Sequence, residues 1–171
     1  RLIDDLQDKT GLKLGMAGEL LTITGASIGA NGKIDGSATA RADLMRALAS
    51  DTTVYGLSSN NSPSVNPANA APNGTIIKMD FGDIARADPG RNSRATLDSG
   101  MLFLHELQHT AIGGGLEDPP QGMMMRFPQL TGPVVDHMNV IRRELGLPLR
   151  VRYLGDWMNG RTYIPFGNGP Y

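Results

Sequence analysis

The chain of 171 residues reads as a single α+β domain spanning residues 1–171, on three observations. Segments with helical spacing of apolar side chains alternate with short β-prone stretches, which favours interleaved helices and an antiparallel or mixed sheet over a bundle or a sandwich. The length suits one hydrophobic core, and 40% hydrophobic with 19% charged residues is ordinary globular content. No internal repeat or low-complexity tract divides the chain.

The elements follow in order. In residues 1–9, Leu2, Ile3 and Leu6 lie at helical spacing and stop before Thr10 and Gly11, so a short amphipathic helix is expected. Residues 12–14 and 19–24 are β-prone and joined by Gly15, Met16, Ala17 and Gly18, the pattern of a hairpin. Residues 25–36 are rich in Gly and Asn and read as a loop. Over residues 37–50, Leu44, Met45 and Leu48 share a face behind Ser37, a candidate N-cap, which predicts a second helix. Residues 52–57 read as a strand. Residues 60–73 hold so much Asn, Ser and Pro that an exposed loop is expected. Residues 75–81 are the best strand candidate, and 82–93 carry Asp, Pro, Gly and Asn and read as a connection. A helix is expected over residues 95–112, ended by Gly113, Gly114 and Gly115, because glycine supplies the left-handed turn that terminates a helix. Thr131, Gly132 and Pro133 start another helix that runs to Gly146, and Leu147 and Pro148 close it. Residues 149–166 alternate around a break at 155–160, which predicts a terminal hairpin.

Composition narrows the partners. The net charge is -1 and the sixteen basic residues are scattered apart from Arg142 and Arg143, so no footprint for nucleic acid or an anionic membrane is present. No apolar run approaches the roughly 18 residues of a membrane span, and no signal peptide is visible. Cysteine is absent, which leaves His, Asp and Glu as metal ligands. The first residue is Arg1 rather than Met, which suits an excised domain or a processed product.

Chemistry concentrates in residues 101–109. His105, Glu106 and His109 form an HExxH pattern. Residues four apart share one face of a helix, so both imidazoles reach one metal, while Glu106 addresses the water beside it. The apolar residues before the motif and Thr110, Ala111 and Ile112 after it suit a packed helix rather than a solvated one. A catalytic zinc takes three protein ligands and an open position, so a third ligand must come from elsewhere. Six residues after the second histidine stands Gly115, which has no side chain to coordinate and excludes the metzincin arrangement. The downstream candidates are Glu117, Asp118, Asp136, His137, Glu144 and Asp156. On the helix after Pro133, Val134, Met138, Ile141 and Leu145 form an apolar stripe, with His137 on its flank and Asp136 on the far side. His137 therefore leads and Asp136 is its rival. Glu117 and Asp118 follow, since a glycine turn can fold them back toward the metal, although Pro119 suits an exposed loop equally.

With Zn2+ bound, this set hydrolyses peptide bonds: the metal polarises the carbonyl and activates water, and Glu106 is general base and then general acid. Among Tyr153, Tyr163, Arg150 and Arg152, Tyr153 is the favoured second donor to developing oxyanion charge. These residues resemble the zincin superfamily of zinc metallopeptidases. Residues 75–81, then the HExxH helix, then the helix after Pro133 match its order of a strand antiparallel to substrate, the motif helix and a helix bearing the third ligand. More narrowly, residues 37–48 and 139–153 resemble the NleD-like effector peptidases and related toxin domains of bacteria. That resemblance implies a zincin-like single metallopeptidase domain, an acidic residue near positions 136–138, and secretion or injection into a target cell. The expected partner is a protein or peptide substrate. A non-catalytic metal-stabilised binding module, or a zinc amidase or deacetylase, would use the same ligands.

Overall fold

The computed structural model describes residues 1–57, 68–70, 74–86, 94–154, 156–158 and 161–167. Helix α1 (Leu2–Thr10) ends at Gly11, whose φ of 68° is left-handed and where a Cβ would sit 1.9 Å from the Asp35 carbonyl oxygen. Only glycine fits that junction. Strands β1 (Leu12–Ala17) and β2 (Leu20–Ala26) form the expected antiparallel hairpin. Helix α2 (Ala38–Leu48) starts where Ser37 Oγ accepts from Ala40 N at 2.9 Å. Glu144, at the far end of the chain, accepts from Ser37 Oγ, Thr39 N and Thr39 Oγ1, so the last turn of one helix clasps the first turn of another.

A three-stranded sheet lies next. Strand β3 (Thr53–Leu57) runs parallel to β5 (Ile76–Asp80), and β4 (Ala68–Ala70) pairs antiparallel to β5, giving the order β3-β5-β4. The expectation of an exposed loop at 60–73 is corrected at 68–70. Ala68, Asn69 and Ala70 have little strand propensity of their own, and pairing with the buried strand β5 supplies what propensity lacks. The remainder of that loop lies outside the described residues.

Residues 82–93, expected as a connection, begin with a short helix α3 (Phe81–Arg86). Asp80 explains it: Oδ1 accepts from Gly82 N at 2.9 Å and from Asp83 N at 3.0 Å, the contacts of a helix cap. A 3-10 turn at Arg94–Thr96 leads to α4 (Ser99–His109), capped by Asp98 Oδ1 on Met101 N at 2.9 Å. The helix is shorter than the expected 95–112 because Asp98 starts it late and Thr110 Oγ1, donating to Leu107 O at 2.6 Å, stops it early.

Helix α5 (Gln121–Arg126) was not legible in the sequence and buries none of its residues. Helix α6 (Gly132–Glu144) matches the helix expected after Thr131. Toward the end, β6 (Leu149–Arg150) pairs with β9 (Phe166–Gly167), and β7 (Asp156–Met158) pairs with β8 (Arg161–Tyr163), both antiparallel. The break expected at 155–160 is thus partly strand, and two short ladders replace one hairpin. The core is one cluster in which Leu6, Leu44, Ile77, Met79, Leu104, Met138 and Ile141 bring α1, α2, β5, α4 and α6 together. Among the described residues no helix is long and apolar enough to cross a membrane.

Candidate metal centre

Helix α4 buries Met101, Leu104, Leu107 and Gln108. That choice of face leaves His105 and His109, one turn apart, on its rim with ring centroids 5.3 Å apart and planes at 77°. The chain then reverses. Gly114 and Gly115 have φ of 103° and 61°, and at Gly113 a Cβ would lie 2.0 Å from Leu107 O, so the turn is pressed against the end of the helix. Leu116 N donates to Gln108 O at 2.8 Å and closes it. Two residues on, Asp118 faces the histidines. Pro119 fixes the other side, packed so closely on Gly132 that a Cβ there would meet Pro119 Cγ at 2.4 Å.

Single atoms of His105, His109 and Asp118 all lie within 4.8 Å of one another, the one such group of three among the described residues. His109 Nδ1 is 2.7 Å from Leu116 O. A carbonyl only accepts, so Nδ1 carries a proton and, in the neutral ring, the lone pair a metal ligand needs is on Nε2. Nε2 stands 3.5 Å from Asp118 Oδ1. That oxygen is shielded from solvent and has no hydrogen-bond partner, whereas Oδ2 accepts from the Tyr153 hydroxyl at 2.5 Å. An orphaned carboxylate oxygen facing an imidazole nitrogen fits a cation between them. Burial, then the charges of Arg150, His109 and Arg142, hold His105 well below its usual titration range. It is neutral and able to ligate at physiological pH.

Glu106 is 8% exposed. Burial pushes its carboxyl up to about 7; Asp118 pushes the same way, against His109 and a hydrogen bond from the backbone of Ala70. Through Ala70 the edge strand β4 is tied to the motif helix. Tyr153 is also at the centre, though its hydroxyl is committed to Asp118, and burial followed by that carboxylate raises its pKa. Arg150 stacks on the Tyr153 ring, 5.0 Å from its centroid, and donates to the Tyr153 carbonyl.

The two residues expected to compete as third ligand lie outside this group of three. His137 Nε2 lies 2.8 Å from Asp43 Oδ2 on α2. Asp43 is 1% exposed and also accepts from Gln108 Nε2 at 3.1 Å and from Arg46. Gln108 points away from the rim that bears His109, so His137 belongs to a polar clasp joining α2, α4 and α6. Asp136 is exposed and accepts from Thr131 Oγ1 at 2.6 Å. Helical periodicity identified the flank of the apolar stripe but not which neighbour covers it. Glu144 holds α2, as described, and the side chain of Asp156 lies outside the described residues. The signal for Asp118 was the glycine run, which reverses the chain and carries the next acids back.

Two predictions follow from these contacts. His137→Ala should cost about 1 kcal/mol, the worth of one hydrogen bond, in urea denaturation and leave zinc affinity unchanged; lost zinc binding would make His137 a ligand. Gly113→Ala forces the turn away from Leu107 and should weaken zinc binding at least about tenfold by displacing Asp118, as read by competition with a chromogenic chelator.

No protein-family model, curated protein or solved structure matches the chain.

Proposed function

We propose that the chain is a zinc-dependent endopeptidase of the HExxH type, with His105, His109 and Asp118 as metal ligands and Glu106 as general base. The observation that carries this reading is the convergence of Asp118 on the two motif histidines, with the Glu106 carboxyl beside them. Bound zinc would supply Lewis acidity and lower the pKa of a coordinated water. Glu106, buried and poised near neutrality, takes the proton from the attacking water and delivers it to the leaving amine. The proton count closes, since one carboxyl accepts and returns the same proton. Tyr153 holds Asp118 from behind through its hydroxyl, a positioning role rather than the oxyanion role that the sequence suggested.

A zincin-like arrangement is supported by the order of elements. Strand β4 runs antiparallel to β5 at the sheet edge, and its Ala70 backbone bonds Glu106, so the edge strand beside the motif helix is β4 rather than residues 75–81. The further likeness to bacterial effector peptidases, and delivery into a target cell, rest on the resemblance of residues 37–48 and 139–153.

Purified protein should hold about one equivalent of zinc by elemental analysis, as a three-ligand catalytic site does. A peptide-library digest read by mass spectrometry should then show internal peptide-bond cleavage that a chelator abolishes. Protein that takes up no zinc would overturn the reading, and zinc-dependent loss of acyl groups without cleavage would replace it with a deacetylase.

A further inference from the structure

Two guanidinium groups, of Arg142 and Arg150, have no ion pair within 4.0 Å among the described residues. Arg142, on α6, is 3% exposed. Its Nε and Nη1 are shielded and without hydrogen-bond partners, and its remaining contacts are a 3.5 Å hydrogen bond to Thr96 O and the Phe166 ring, 5.2 Å away. Phe166 is the strand partner of Arg150 in the β6–β9 ladder, which brings the second guanidinium to the same place. Arg150 is held by the carbonyls of Arg152 and Tyr153 and by the Tyr153 ring, contacts that orient it without neutralising it. Among the described residues neither arginine is ion-paired at 4.0 Å. Asp98 acts on Arg142 and Asp118 on Arg150 only from beyond 4.0 Å: Asp98 is 2.5 Å from Lys9 Nζ, and Oδ2 of Asp118 accepts from the Tyr153 hydroxyl.

A buried charge without a partner is costly enough that burial, followed by the charge of Arg150, lowers Arg142 to about 9. Arg150 reaches the site through Tyr153: its guanidinium lies 5.0 Å from the Tyr153 ring, whose hydroxyl donates to Asp118 Oδ2 at 2.5 Å. We propose that Arg142 and Arg150 form a carboxylate-binding subsite beside Tyr153 and Asp118, which selects peptides carrying an anionic group close to the bond that is cut. Arg150, the more exposed, makes the contact, since a planar guanidinium matches a carboxylate, and Arg142 adds charge from behind Phe166. The carboxylate comes from an acidic side chain of the substrate or from its C-terminus. This inference rests on the peptidase reading, so its test reads binding rather than turnover.

The probes are fluorescein-labelled peptide pools, alike except that one position is Glu or Gln with an amidated C-terminus, plus a Gln pool with a free C-terminal carboxylate. Binding is followed by anisotropy on zinc-supplemented Glu106→Gln protein, in which cleavage is blocked. The Glu pool or the free-carboxylate pool should bind at least about tenfold tighter than the amidated Gln pool, and which one does so identifies the source. Arg150→Gln, added to this background, should erase the difference. Arg142→Met should weaken it while leaving the melting temperature unchanged or raised, because an apolar side chain replaces an unpaired buried charge. A merely structural Arg142 would lower the melting temperature and leave the preference intact. Equal binding of all three pools overturns the subsite even if the wild type cleaves peptides. Charge-dependent binding by a chain that never cleaves supports the subsite and overturns the peptidase instead.

Discussion

Glu106→Gln is expected to lower peptide hydrolysis by roughly 10²–10⁴-fold while the protein keeps its zinc, because general base catalysis of this kind is worth that much and the amide cannot accept the proton. The substitution preserves shape and a partner for Ala70, so the metal ligands stay in place. Surviving activity would remove Glu106 from the reaction. Zinc content must be measured on the same sample, since a loss of metal would explain inactivity without involving the base.

The same substitution has a signature in the metal-free chain. The folded-state carboxyl titrates at about 7 against an ordinary value of 4.5, so folding favours the protonated form. Its contribution is fully present below about 4.5 and is lost as pH rises through about 7. Relative to Glu106→Gln, metal-free wild type should therefore lose stability between those values in denaturant titrations. Parallel pH profiles of the two proteins would show that Glu106 is not held protonated by its surroundings. His105, charging only at low pH, contributes equally to both and cancels.

Asp118→Ala is expected to weaken zinc binding by more than the roughly 10–100-fold typical of losing a residue that only orients a ligand. Tyr153→Phe, which deletes the hydroxyl on Asp118 Oδ2, should fall inside that range. The resulting order of affinities, with Asp118→Ala weakest, Tyr153→Phe intermediate and His137→Ala like wild type, separates ligand, positioning residue and structural clasp in one series. An Asp118→Ala protein with wild-type affinity would return the third ligand to another residue.

The motif helix, its pair of histidines and Glu106 between them were legible because helical spacing is a local property, and Ser37, Gly11 and the glycine run marked boundaries through backbone chemistry that is also local. The convergence of Asp118 on them was not. Both His137 and Asp118 were compatible with the residues around them, and the choice depended on which helix covers each flank of α6. That was decided by Asp43, buried on α2 and requiring partners, and by the packing of Pro119 on Gly132. Strand β4 was hidden for a similar reason, since three residues of low strand propensity take their structure from β5. Helix α3 could have been read from Asp80, an acid just ahead of Phe81 and two residues before Gly82. Helix α5 has no buried face and left no periodic signal. The meeting of Arg142 and Arg150 at Phe166 joins α6 to the β6–β9 ladder, elements whose approach no local pattern encodes.

A zinc-edge anomalous crystal structure of the wild-type chain would locate the metal and its ligands. One zinc is expected, bound by an imidazole nitrogen of His105, Nε2 of His109 and the Asp118 carboxylate, with an open position beside Glu106. Zinc on His137, a fourth protein side chain closing the site, or no zinc between His105 and His109 would contradict it.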